Sequence, residues 1–334
     1  MGPFDVDDFA WNIGKSLEQM GFEISSVGNA SGGLIHSKGR LTPIVPLVMR
    51  EPKIGSWGAR YTAHAILSLQ PDFVLSVQSL HPRTVALLAK AGVPTVLWFP
   101  DHVANLAPFW MFSAPYAGIF FKEPALVRNL KNMTQMPVHY LPEAYCDLIH
   151  APVEDEWVPE VAVVGTMHAH RVSIVSRLVD DGIPIRLYGA GASNLPIQLR
   201  KMHSGRYLRG PAKSRVFRNS AAVLNTLFPA EIEGMNARIF EATGSGGAVV
   251  TEFRPALLDL FECGDEVLCF ETYGEMRDLL RQLIANPEKS RGLGDRGRRR
   301  AERDHTMRKR LDVLLRALGI DNAASDISCS GSNP

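Results

Sequence analysis

The nine residues Glu233-Gly-Met-Asn-Ala-Arg-Ile-Phe-Glu241 set two glutamates with seven residues between them. The following stretch, Ala242-Thr-Gly-Ser-Gly-Gly-Ala-Val-Val250, reads as a helix ending in glycines and then a buried strand. Glu233 therefore stands in a loop just before a helix, and Glu241 stands inside it. The first turn of a helix has backbone N–H groups without intrahelical partners and the positive end of the dipole, which together suit a phosphate. A carboxylate beside that turn accepts charge-assisted hydrogen bonds from sugar hydroxyls. A phosphate next to sugar hydroxyls is the chemistry of a nucleotide-sugar.

Other residues fit around this pair. Asn236 and Ala237 begin the helix; Asn is a favoured N-cap, and capping and phosphate contact can coexist. Arg238 and Arg171 are candidate cations for a diphosphate leaving group, which fixed guanidiniums stabilise without a metal. Arg171 reads equally as a surface helix arginine, and Lys213 and Arg215 are further options. Gly165, Thr166, Tyr188, Gly189 and Gly191 lie at strand ends, where close approach of backbone to a ligand needs glycine. Gly189 and Gly191 read equally as ordinary turns. Asp101 and His102 follow an apolar strand; the histidine could orient an acceptor or act as a base, and the plainer reading is a capping Asp and a turn His. Glu231 is a rival to Glu233, and the spacing selects Glu233, with the other left as surface charge. Asp5-Val6-Asp7 reads as capping charge before a helix, and His168 and His170 do not form a metal pair. No metal and no cofactor are expected.

The chain of 334 residues, at ~150 residues per domain, predicts two domains. Its net charge of +1 gives no reason to expect nucleic acid or an anionic membrane as a partner. Arg291–Arg310 holds nine basic residues against three acidic ones, without interleaved aromatics, and reads as a solvated helix face. Four cysteines lack metal spacing, and Cys263 and Cys269 read as half-buried thiols, consistent with a reducing, cytoplasmic setting. No apolar run approaches the ~20 residues of a membrane-spanning helix, and the acidic N-terminus is not a signal peptide.

Strand and helix signals alternate through both halves. In the first half, helices are predicted at 8–20, 59–69, 83–91 and 124–133. Strands are predicted at 22–27, 73–77, 94–99, 117–121 and 138–141. In the second half, strands are predicted at 161–164, 185–188, 222–227 and 248–251, with a long helical stretch from 273 to about 318. Apolar strands alternating with amphipathic helices indicate α/β architecture with parallel sheets, whose ligands lie beyond the carboxyl ends of the strands. The division expected is 1–145 for an acceptor-side Rossmann-like domain, 146–160 for a linker and 161–295 for a nucleotide-sugar-binding domain. A C-terminal helix over 296–320 and a disordered tail over 321–334 complete it. The chain begins where a first strand is expected to have ended already.

Over Leu224–Thr251 the sequence resembles glycosyltransferases of the GT-B fold, which have two Rossmann-like domains facing a cleft. The E-x7-E pattern is the signature of the glycogen-synthase-like family-one group, and Asn236-x-Arg238-x-Phe240-Glu241-Ala242 resembles its CgeB-like branch. Phe121-Lys-Glu-Pro, Tyr140-Leu-Pro-Glu-Ala144, Val163-Val-Gly-Thr166 with Arg171, and Asp304-His-Thr306 with Arg310 are similar to other segments of that family. The resemblance spans roughly 60–315. It implies that Glu241 holds the nucleotide ribose, that Glu233 lies near the donor sugar, and that amides at Asn236 and Ala237 touch the distal phosphate. It implies that the loop at Arg209-Gly210-Pro211 reads the base and that His102 approaches the donor sugar. The family's usual Arg and Lys of the second domain's opening loop are replaced here by Thr166 and Arg171. The implied function is transfer of a sugar from a nucleoside-diphosphate sugar to an acceptor (small molecule, glycan or protein), with retention and without metal. Two alternatives stand beside it: a sugar-nucleotide epimerase of the same fold, and a non-catalytic partner protein that keeps it.

Overall fold

The computed structural model describes residues 5–27, 52–101, 110–190 and 192–320. The chain divides into two compact units, Met1–Leu141 with Arg310–Pro334, and Pro142–Lys309.

The first unit has a parallel sheet of β1 (Val74–Ser76), β2 (Thr95–Phe99), β3 (Gly118–Phe121) and β4 (Val138–Tyr140), in that order. Thr95-Val-Leu-Trp-Phe99 is buried throughout, as a central parallel strand covered on both faces must be. The helices are α1 (Phe9–Gln19), α2 (Pro52–Leu67), α3 (Pro82–Lys90) and α4 (Pro124–Met133). Proline opens α3 and α4, where its missing N–H costs nothing, and the side chains of His81 and Glu123 accept from the first-turn amides of Arg83 and Ala125. Phe9 packs edge-on against buried Trp98, 4.7 Å between ring centroids, which seats α1 on the sheet. The strand expected at 22–27 is not seen: among the described residues it pairs with no strand, and it lines a cavity of about 270 Å³ with α1 and β1.

The second unit has a five-stranded parallel sheet in the order β6-β5-β7-β8-β9. The strands are β5 (Val158–Val164), β6 (Ile185–Tyr188), β7 (Ser220–Asn225), β8 (Val249–Glu252) and β9 (Leu268–Phe270). The helices are α5 (Ala169–Asp180), α6 (Ile197–Met202), α7 (Gly210–Asn219), α8 (Ala237–Gly244), α9 (Leu257–Leu260), α10 (Tyr273–Ala285) and α11 (Pro287–Asp304), and the last helix of the chain is α12 (Met307–Ala317). The period of two along β5 sorts its side chains: Val161 and Val163 join Val175, Leu178, Leu280 and Leu283, while Ala162 and Val164 join Phe217, Ile239 and Phe240. After β6 the chain crosses to the other side of β5 to form β7. Strand order reverses there, and the carboxyl ends of β5 and β7 flank the switch point at which such sheets bind ligands.

Two expected boundaries differ. The segment 146–160 belongs to the second unit, whose start is Pro142. Cys146 and His150 are buried, and Asn219 clamps the segment by donating to the Val153 carbonyl at 2.7 Å and accepting from the Asp155 amide at 3.0 Å. The helical region at 296–320 is broken between α11 and α12, because His305 turns inward, its Nε2 2.6 Å from the Leu260 carbonyl oxygen. From Arg310 onward α12 belongs to the first unit. The tail 321–334 lies outside the described residues. Basic side chains of α11 pair locally, Arg296 with Asp265 at 2.7 Å and Arg300 with Asp304 at 3.0 Å. Cys263 and Cys269 are half-buried free thiols, and burial pushes the Cys263 thiol up to about 12. Among the described residues no helix is long and apolar enough to cross a membrane.

Candidate functional site

β5 ends at Gly165, whose φ of +115° is a conformation that favours glycine. Its amide donates to the Tyr188 carbonyl at 2.9 Å, which ties the ends of β5 and β6 together. Gly189 has φ +137°, and a Cβ there would strike the Gly165 carbonyl. A Cβ on Gly165 would in turn collide with the Arg238 guanidinium. Both glycines are therefore demanded by close packing at the strand ends. Tyr188 is half-buried, and burial raises its hydroxyl pKa.

Arg238 lies in the first turn of α8 and reaches back to this place. Its Nη1 donates to Asn225 Oδ1 at 3.1 Å, and Asn225, fully buried at the end of β7, donates from Nδ2 to Thr251 Oγ1 at 3.1 Å. Arg171 comes from α5. Its guanidinium donates to Thr226 Oγ1 at 2.9 Å, to the Thr226 carbonyl at 3.1 Å and to the Thr166 carbonyl at 2.6 Å. At 8% exposure it is no surface arginine but a brace between the loops after β5 and β7. Burial, then the neighbouring Arg238, lower the Arg171 pKa to about 9, while Glu231 opposes the shift. Burial likewise lowers Arg238, against the pull of Glu241, Glu231 and Glu143. Two guanidinium groups therefore lie together at the carboxyl ends of the strands, with Glu231 close to both.

Asn236 occupies the N-cap position of α8 in extended conformation, but its side chain makes no bond to the helix amides. Its buried Oδ1 has no partner among the described residues. Simple N-capping therefore does not account for Asn236. Ala237 opens α8 at its amide-rich end. Gly210 opens α7 with φ +51° and is buried.

Glu241 sits on α8, one turn beyond Ala237. Phe240 and Ala242 on either side are fully buried, and Phe240 packs against Phe261 and His305 at 6.0 and 5.3 Å between ring centroids. This packing fixes the face on which Glu241 emerges. Phe240→Ala is expected to lower unfolding free energy by about 3–5 kcal/mol, read from urea denaturation, because the cavity lies beneath this helix. Lys213 Nζ of α7 meets Glu241 Oε1 at 2.9 Å, their side chains 10% and 17% exposed. His150, 1% exposed, brings a ring nitrogen within 4.8 Å of a Glu241 carboxylate oxygen.

In the loop between β7 and α8, Glu231 is not the surface charge expected of it. Glu231 is buried at 5%, close enough to raise both arginine pKa values, whereas Glu233 is half-buried and its carbonyl accepts from the Ala256 amide at 3.0 Å. Arg215 is exposed and pairs with Asp155 at 3.0 Å, away from Glu241's partner Lys213. His168 stacks edge-on with Phe228 at 5.4 Å.

The second unit thus brings Gly165, Thr166, Arg171, Tyr188, Gly189 and Arg238 into one cluster. In the same unit, Glu241 lies near enough to Arg238 to shift its pKa. Three residues missed in the sequence, Asn225, Thr226 and His150, complete the surroundings. Nothing local marks them, although Asn and Thr ending an apolar strand are a weak cue. In the first unit, Asp101 is exposed and lines a cavity of about 290 Å³ at the carboxyl ends of β1 and β2, with Asp8, Phe9 and Gln78. His102 lies outside the described residues.

Comparison with known proteins bears on the fold and the family. The chain is similar to sucrose-phosphate synthase from Thermosynechococcus elongatus, with TM-score 0.62 and 12% identity over 93% of this chain and 92% of that one. It is similar to Anabaena HepE solved with UDP-glucose, at 0.58 and 10% over 78% and 81%. It is also similar to the α,α-trehalose 6-phosphate synthase of Burkholderia multivorans, at 0.54 and 13% over 87% and 79%. At such identities the likeness is one of fold, and the fold is GT-B. No curated protein sequence matches the chain. The sequence profile of the glycosyl transferase-like family matches residues 126–316, more than half of the chain. On that match, and with two parallel sheets of GT-B type behind it, the chain belongs to the glycosyl transferase-like family.

Proposed function

We propose that the protein transfers a glycosyl group, a hexose or a relative of one, from a nucleoside-diphosphate sugar. The donor lies in the second unit. The α8 amides at Asn236 and Ala237 and the Arg238 guanidinium take the diphosphate, and Glu241 takes the ribose hydroxyls. Glu233 faces the donor sugar, and the strand ends at Gly165, Thr166, Tyr188 and Gly189, with the loop at Gly210, enclose the nucleotide. Arg171 braces the cation cluster. The observation that carries this reading is the start of α8: its N-cap side chain does not cap, Asn236 Oδ1 is buried without a partner among the described residues, and a carboxylate follows one turn on. HepE, solved with UDP-glucose on a similar fold, supports the choice of ligand class.

Fixed arginines stabilise the charge that develops on the departing diphosphate, so the reaction needs no metal. Retention is the stereochemical course we assign, with the leaving phosphate taking the proton of the acceptor. Asp101 and His102 belong to the acceptor side, in a cytoplasmic enzyme. The test is unfolding of the whole chain with a panel of nucleotide-sugars. At about 100 times Kd, a bound donor raises stability by about 2.7 kcal/mol. Turnover of that donor is expected to be equal in EDTA and in added magnesium. No protection by any donor would refute the donor site, and loss of turnover in EDTA would refute the metal-free course.

A further inference from the structure

We propose that Lys213 is the residue that restricts the donor to ribonucleotides, by forming with Glu241 a paired reader of a ribose hydroxyl. This rests on the placement of ribose at Glu241 argued above. Lys213 lies in the first turn of α7, where a cation opposes the helix dipole, and α7 has no side-chain cap. Its side chain is 10% exposed, so it also loses most of its hydration. Neither feature favours folding, and a buried ion pair is weak support for stability. The pair is nevertheless held closely: Ser214 and Ser245 hydroxyls, both buried, meet at 3.0 Å beside it and fix α7 against α8. An ion pair kept at a site that penalises it points to a ligand.

The chemistry identifies the ligand group. Lys213 engages Glu241 Oε1, which orients the carboxylate, and Oε2 belongs to the same 17%-exposed side chain. A hydroxyl donates one hydrogen bond and accepts others. A hydroxyl at this pair donates to the carboxylate and accepts from the ammonium. A phosphate oxygen satisfies only the ammonium, and a C–H satisfies neither group. Removing that hydroxyl from the sugar removes both of these hydrogen bonds from a largely buried pair.

The experiment is calorimetric titration of the full chain with UDP and 2′-deoxy-UDP, GDP and 2′-deoxy-GDP, and ADP and 2′-deoxy-ADP. The wild type is expected to favour the ribose form of its preferred base by about 10- to 100-fold. Lys213→Met is expected to weaken the ribonucleotide and bring the two forms close to equality. Lys213→Arg, which keeps the charge, is expected to restore part of the preference. A loss of stability alone would weaken both forms alike and leave their ratio unchanged. A wild type that binds both forms equally overturns the proposal without any variant. So does a Lys213→Met protein that keeps the wild-type ratio, while the donor site at Glu241 stands. If no nucleotide binds the wild type, the donor site falls and this proposal with it.

Discussion

Glu241→Ala is expected to weaken binding of the donor nucleotide by about a hundredfold to ten-thousandfold. Two hydrogen bonds from ribose hydroxyls to a carboxylate contribute about 1.5–3 kcal/mol each, and every 1.4 kcal/mol or so is tenfold in affinity. The substitution also strips Lys213 of the partner it meets at 2.9 Å. The resulting ammonium is not wholly sealed from water, so its cost is below the about 3–5 kcal/mol typical of a broken buried pair. Glu241→Gln separates the two effects, since it keeps the shape of the side chain and two of its polar atoms. Titration calorimetry gives the affinity and thermal melting gives the stability. Were Glu241→Ala to bind the donor as the wild type does, the ribose would have to lie elsewhere.

Gly165→Ala is expected to cost about a hundredfold in kcat/KM, the scale found when one fixed donor to a developing negative charge is lost. Two consequences of one methyl group are involved. The backbone at φ +115° is strained for any residue with a Cβ, by about 1–3 kcal/mol. The new Cβ also collides with Arg238, which is tethered to Asn225 and has little freedom to withdraw. Gly182→Ala is the matched control. Gly182 has φ +76° after α5, and nothing lies within 4 Å of where its Cβ would stand. It should lose stability by a similar amount, about 1–2 kcal/mol, and keep its kinetics. If both variants lose kcat/KM equally, the guanidinium contact is irrelevant to the reaction.

What was legible in the chain is local. The buried strands announce themselves as apolar runs, and Pro124–Met133 and Ile185–Tyr188 form with the bounds their sequence predicts. A proline at a first turn and a glycine after a strand act through their own backbone, so they can be read without neighbours. The loop–helix setting of Glu233 and Glu241 is of this kind, since both lie within a single turn-and-helix unit.

The partners of these residues are not local. Lys213 meets Glu241 across 28 positions, and Arg171 meets Thr226 across 55. Whether a charged side chain is buried depends on which elements fold over it: Arg171 reads equally well as surface charge, and Glu231 reads as surface charge, until β5 and β7 lie side by side. The segment expected as a strand at 22–27 lies beside α1 and β1 without a ladder to any described strand, because pairing needs a partner in register and alternation along one segment cannot specify that partner. His150 was hidden within a Pro, Asp and Glu-rich stretch without hydrophobic period. That stretch is anchored by hydrogen bonds to Asn219 rather than by an apolar face, and so leaves no periodic trace in the sequence.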